Sequence, residues 1–460
     1  MKKIGLLFAV CLGAIIPVYA EVTVGVALDA GVIFQNIDFV ERSATWEPVD
    51  DPLWVGGYGR NGGNRAKLTL SFAANLEGKA GIDAGLAFYP WWRDNRQQDL
   101  FVDIDSIEMA GFGGWYRPFD WLRLRVGSFN MDTLRGKIGG FNWGDYLGAA
   151  SGGTDGFFTR FEGKEAVAVE LIDPLGSFFP GKPALAGFWA AVMIYDLIEA
   201  NSINNQGLAG GYTETKYMFE NIQFGIGYEL PNDIGHVRLQ YINVHNTPNI
   251  KRTTDNDNND SNSGPRAQAA FAFTMIPSLT AEVGGTFSFM VEDPVTIVPA
   301  LNSNGEIVYY EPVITAGEYQ EPHRVALGAQ YDFNFDLVLR GGVEYSFGGY
   351  SHATGSGRVD TGTVTKIWFS PSYTFLNGIF TTGADLGFNI LGDEMRYERL
   401  NKRGGFRYGY GGFLRWNIIT NCFIQAGVFY AAGEALGNDR VAARELDTGV
   451  SIPIIFHLGF

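Results

Sequence analysis

The sequence predicts an all-β chain, a single transmembrane antiparallel up-and-down β-barrel of about eighteen strands, with sixteen as the neighbouring even number. Three observations predict it. Apolar and polar residues alternate over segments of about ten residues, the length that crosses a bilayer at a tilt of roughly 45°. The connections between these segments alternate between short and long. After the first twenty residues, no run approaches the roughly 18 apolar residues of a spanning helix, the best being 185–194.

The alternation is plain at 67–76, where Leu68, Leu70, Phe72, Ala74 and Leu76 share one face and Lys67, Thr69, Ser71 and Asn75 the other. A period of two residues means a strand with one oily and one wet face. The pattern returns at 279–291, where Ala281, Val283, Phe287, Phe289 and Val291 oppose Thr280, Glu282, Thr286 and Ser288. It returns again after Trp121, with Leu122, Leu124 and Val126 against Arg123 and Arg125. A soluble sandwich would favour strands of about five or six residues.

The chain opens with an export leader over residues 1–20. Lys2 and Lys3 form its positive start, Ile4 to Ile16 its apolar stretch, and Val18-Tyr19-Ala20 a small-residue cleavage signal, which places the cut between Ala20 and Glu21. Cys11 leaves with the leader, so the mature chain over 21–460 keeps Cys422 alone and forms no internal disulfide. Of the 460 residues, 46% are hydrophobic, 18% are charged and 61 are glycine. That apolar content excludes disorder. The formal charge of −16, from 34 basic and 50 acidic residues, argues against a nucleic-acid partner.

Strands are expected near 21–36, 66–76, 81–90, 104–116, 121–129, 164–172, 184–195, 219–229, 235–246, 266–275, 279–291, 323–331, 337–347, 364–374, 379–390, 406–418, 422–432 and 444–460. Tight connections such as 77–79, 231–234 and 276–278 then fall at one end of the barrel, and long polar ones such as 247–264 and 292–322 at the other. Short periplasmic turns, long external loops and both termini on the periplasmic side follow from that asymmetry. Trp115, Tyr116, Phe119 and Trp121, Phe333 and Phe335, and Tyr373 and Phe375 sit where strands meet turns, as a headgroup-level girdle would. At the C-terminus, Leu446, Val450, Ile452, Ile454, Phe456, Leu458 and Phe460 occupy every second position, and the chain stops on an aromatic.

Leader, period-two strands and terminal aromatic together resemble the Gram-negative outer-membrane porins, general or substrate-selective, at a strand number like that of maltoporin. The resemblance implies an outer-membrane location, contact with outer-membrane lipid and recognition of Phe456, Leu458 and Phe460 by the barrel assembly machinery. It also implies a homotrimer and passive diffusion of small hydrophilic solutes. A wall of this size is roughly 35 Å across, too wide for its own side chains to fill. With a strand expected directly after Glu21, the constriction falls to a loop. The long connection 130–163, between the fifth and sixth strands, matches the third loop that folds into the lumen in porins. Arg135, Trp143, Asp145, Tyr146, Asp155 and Arg160 on it are candidate constriction residues.

The alternation also sorts the wall charges. Lys67, Arg123, Arg125, Arg238, Arg324, Arg340, Lys366, Arg407 and Arg415 read as inward, opposed by Asp83, Glu170, Glu282, Glu344 and Asp385. Arg238, Arg340, Arg407, Arg415, Glu282 and Glu344 are candidate pore-lining residues. Arg123 and Arg125, beside the root of the long loop, are candidates for the eyelet, where charge selects among solutes. The plainer alternative is that they pair with acids on adjacent strands. If they line the eyelet, a mild preference for anions, or for neutral polar solutes that stack on Trp143 and Tyr146, is expected.

Catalysis, a metal and a cofactor find no support. The five histidines are scattered without ligand spacing, and Asp255-Asn256-Asp257-Asn258-Asn259-Asp260 lacks the glycine and distant glutamate of a calcium loop. Besides the diffusion channel, two readings stay open: a surface adhesin or structural barrel with an occluded lumen, and a hydrophobic-solute transporter. The inward arginines and lysines weigh against the last.

Overall fold

The structure is a computed structural model describing residues 20–39, 53–55, 67–88, 107–130, 162–182, 185–194, 222–242, 265–289, 291–292, 295–301, 307–314, 318–320, 322–353, 357–397, 402–435 and 444–460. Residues 1–19 of the expected export leader lie outside these residues.

Eighteen strands close into one antiparallel barrel. They are β1 (Ala20–Phe39), β2 (Lys67–Leu76), β3 (Ala80–Phe88), β4 (Ile107–Phe119), β5 (Leu122–Asn130) and β6 (Glu162–Ile172). There follow β7 (Phe188–Ile194), β8 (Ile222–Leu230), β9 (Gly235–Ile242), β10 (Arg266–Phe273), β11 (Leu279–Ser288) and β12 (His323–Asp332). The wall finishes with β13 (Leu337–Ala353), β14 (Gly357–Phe369, continued by Ser372–Phe375), β15 (Phe380–Tyr397), β16 (Lys402–Ile419), β17 (Cys422–Ala435) and β18 (Arg444–Gly459). Each pairs with its neighbour in sequence, and β18 returns to β1 over the register Ala27↔Gly459 to Phe39↔Leu446. The backbone of Phe460 completes this seam, donating to the Val26 carbonyl at 2.8 Å and accepting from its N–H at 3.1 Å. Closure leaves no strand edge in the bilayer, where an unpaired peptide group costs several kcal/mol.

All eighteen expected strands are present. The differences lie at the external ends. Residues 348–363 and 391–405 fall between expected strands, yet the structure pairs Tyr350–Ala353 with Gly357–Asp360, and Arg396–Tyr397 with Lys402–Arg403, carrying these hairpins above the membrane. The connection after β11 holds a separate two-stranded ribbon, Val295–Leu301 with Ile307–Ile314.

The tight turns follow local chemistry. Glu77 and Gly78 have φ of 50° and 68°, the paired positive values of the hairpin turn whose twist matches its flanking strands, and the Gly78 N–H donates to Asn75 Oδ1 at 2.9 Å. Between β6 and β7, Asp173 caps a one-turn helix over Pro174–Phe178 by accepting from the Gly176 and Gly187 N–H groups at 3.2 and 2.8 Å.

The outer face is apolar and ringed twice by aromatics. Phe119, Trp121 and Phe178, then Tyr331, Phe333 and Phe335, then Tyr373, Phe375 and Phe380 cluster at the turn end. A second ring, not expected from the sequence, lies higher. It contains Phe224, Tyr241 and Phe289, then Phe287, His323 and Phe347, then Phe388, Phe406, Tyr408, Tyr410 and Tyr430. From Trp416 to Tyr408 on β16 is about 26 Å along the strand and about 20 Å along the axis at a tilt of about 40°, close to the height of a barrel's lipid band.

Candidate functional site

The inner wall is the only face whose residues could meet a solute inside the barrel, and parity decides what it contains. Phe287 on the outer face is 50% exposed while its neighbour Ser288 is 5% exposed inside, which fixes the register of β11. The same parity holds around the wall. Val167 and Val169 face out while Ala166, Ala168 and Glu170 are buried inside, and Val343 and Tyr345 face out while Glu344 and Ser346 are buried inside. Arg123, Arg125, Arg238, Arg324, Arg340 and Arg415 occupy inward positions, as do Glu282 and Glu344. Arg407 stands at an inward register position opposite Asn389, its side chain outside the described residues.

Most inward charges are matched on the neighbouring strand. Glu170 on β6, buried to 1% exposure, receives two guanidinium groups from β5: Arg123 Nε on one oxygen and Arg125 Nε at 3.1 Å on the other. Lys366 Nζ lies 3.5 Å from Glu344. Arg238 lies in the field of Glu282, and Asp385 in that of Arg340. Arg415 instead has a neutral partner, donating from Nε and an Nη to Gln425 Oε1 at 2.9 and 2.7 Å while its guanidinium stacks on Phe423 at 4.1 Å. The adjacent-strand pairing set against the eyelet role is therefore what the geometry gives Arg123 and Arg125.

Two inward features are not legible in the sequence. The first is a set of aromatic rings lying flat across glycines of the neighbouring strand. Trp115 covers Gly81 and Trp368 covers Gly342, where an added Cβ would come within 2.5 and 2.8 Å of ring atoms. Phe413 covers Gly383 and Phe429 covers Gly411 in the same way. These rings shield the wall's backbone without projecting far into the lumen, and part of the high glycine content has this use. The second is a hydrogen-bonded row across three strands: Gln240 Nε2 donates to Gln268 Oε1, and Gln268 Nε2 donates to Thr286 Oγ1 at 2.9 Å. All three are at most 5% exposed. The sequence carries only their wet-face spacing, not their partners.

The connection 130–163 starts from a strand pair, Asn130 opposite Glu162, with Phe129 opposite Gly163 below it, so its first residue and its last two belong to the wall. The stretch between, with Arg135, Trp143, Asp145, Tyr146, Asp155 and Arg160, lies outside the described residues. Phe129 packs with Trp189 on a buried inward cluster of Ala166, Ala168, Ala191 and Met193, and its ring lies 5.5 Å from the Arg125 guanidinium. Among the described residues no group of His, Cys, Asp and Glu is placed to hold a metal ion. Among them, too, no helix is long and apolar enough to cross a membrane.

No family model matches the chain, and no curated protein does. Solved structures similar over nearly its whole length include the anion-selective porin from Comamonas acidovorans, at 11% identity, 96% coverage of this chain and 100% of that one, with a TM-score of 0.45. OpdK of Pseudomonas aeruginosa, solved with vanillate, matches at 10% identity over 95% of this chain and 99% of its own, TM-score 0.46. The outer membrane channel DcaP of Acinetobacter baumannii matches at 12% identity over 96% and 99%, TM-score 0.45.

Proposed function

We propose that the chain is an outer-membrane channel that passes small hydrophilic solutes by passive diffusion, without catalysis or a cofactor. The observation that carries this reading is the sorting of one closed wall into an apolar outer face between two aromatic rings and an inner face where Arg, Lys, Glu, Asp, Gln, Ser and Thr stand among flat aromatic rings and small residues. A carrier of oily solutes would be opposed by charge inside, and a wall of eighteen strands is too wide for its own side chains to fill, as the lumen of an anchor barrel would be. In this reading residues 1–20 direct export, the last strand through Phe460 is the assembly signal, and the barrel works as a homotrimer in outer-membrane lipid. The connection 130–163 narrows the lumen with Arg135, Trp143, Asp145, Tyr146, Asp155 and Arg160.

Reconstituted into phospholipid vesicles, the protein should cause swelling in an isotonic pentose solution. Vesicles that stay osmotically tight would overturn the reading.

The wall pairs set the expected selectivity. One carboxylate cannot balance two guanidiniums, so Arg123, Arg125 and Glu170 together carry one positive charge, less than the two arginines would alone. Glu170→Gln should therefore move the zero-current potential in a salt gradient toward anion preference. An unchanged potential would mean that this cluster lies away from the conduction path.

A further inference from the structure

Arg324 differs from the other inward cations whose side chains are described. On its strand-to-strand register it faces Thr286 of β11 on one side and Ser346 of β13 on the other, both neutral. The nearest acid on the neighbouring strand is Glu344, opposite Ala326 and engaged by Lys366. Arg324 makes no ion pair among the described residues, and its side chain is exposed to the lumen. Arginine cannot neutralise by losing its proton, so this is a fixed positive charge awaiting an acceptor.

A second observation points to the same spot. The row Gln240, Gln268, Thr286 is directional, because each amide N–H donates toward the next residue. Thr286 Oγ1 has accepted the Gln268 hydrogen, which leaves its own O–H to donate at the end of the row. Aligned hydrogen bonds polarise one another, so the terminal hydroxyl is a strengthened donor. Its register partner is Arg324, which offers no acceptor, and the Ser346 hydroxyl lies on the far side. Hydroxyl donors of both flanking strands therefore stand at the register level of a guanidinium that faces water.

We propose that Arg324, Thr286 and Ser346 form a binding subsite on the inner wall for a small oxyanion, the carboxylate or phosphate group of a passing solute. The planar guanidinium takes two oxygens side by side, and the hydroxyls of Thr286 and Ser346 cap them. This deepens the channel reading by naming a solute class and rests on it for the statement that the ligand is in transit, although binding itself does not require conduction.

The test is therefore a binding measurement on the detergent-solubilised barrel, titrated by calorimetry with inorganic phosphate and separately with acetate, followed by block of chloride current in a planar bilayer by the same two probes. Saturable binding of either probe is expected, and the pair distinguishes a phosphate from a carboxylate site. Arg324→Gln should weaken it by about tenfold or more, the worth of a charge-assisted contact, and Thr286→Val by less. Arg324→Lys, which keeps the charge and loses the fork, should fall between wild type and Arg324→Gln and guards against misreading a folding defect. Binding of neither probe, or equal affinity in wild type and Arg324→Gln, overturns the subsite. Binding in detergent with no current in the bilayer would keep the subsite and overturn the channel.

Discussion

Phe460→Asp is expected to remove the protein from the cell surface while leaving its ability to refold in detergent intact. The two outcomes separate because the backbone and side chain of Phe460 act differently. Its backbone closes the seam by hydrogen bonds with Val26, and a substitution keeps those bonds. Its side chain is 72% exposed on the outer face at the turn end and has little packing to lose. A charge at that level of a barrel costs only about 0 to 1 kcal/mol. Loss of surface protein with normal refolding would therefore report recognition during assembly. Normal surface yield would contradict the role given to the terminal aromatic.

The largest stability effect is expected at Leu327, on the outer face of β12. It is 51% exposed there, flanked by Val283 and Val343, which also face outward. Six positions above the turn at Phe333 place it about 20 Å along the strand and about 15 Å up the axis, near the middle of the apolar band. Leu327→Arg should cost about 2 to 4 kcal/mol, whereas Tyr331→Arg, in the lower aromatic ring, should cost about 0 to 1 kcal/mol. Urea unfolding of both variants in phospholipid vesicles measures the difference. Equal costs would mean that the band does not lie where the two rings place it, and the inward assignment of the charged residues would lose its support.

The barrel was legible because a membrane wall imposes period two on every strand, and a ten-residue alternation such as 67–76 is longer than the strands of a soluble sheet require. The inward parity of Arg123, Glu170, Glu282, Arg324 and Glu344 followed from the same count. Strand ends above the membrane were not legible. There the sequence, as in Gly348-Gly349-Tyr350-Ser351, carries no lipid face, and only pairing to the neighbouring strand keeps it extended. Partners inside the lumen were hidden for a related reason. That Glu170 lies between Arg123 and Arg125 depends on the register of strands joined by the long connection 130–163, and the row from Gln240 to Thr286 on the register of three strands at once. Flat rings over glycine needed the same knowledge. Composition recorded the abundance of glycine, and the cross-strand neighbours give it a use.

If water and solutes cross the lumen of this closed wall, single-channel recording of the purified protein in a planar lipid bilayer shows it most directly. Current steps of constant size that scale with salt concentration are expected. A protein that inserts, keeps its folded barrel and yet leaves the bilayer current at the level of bare lipid would contradict the channel.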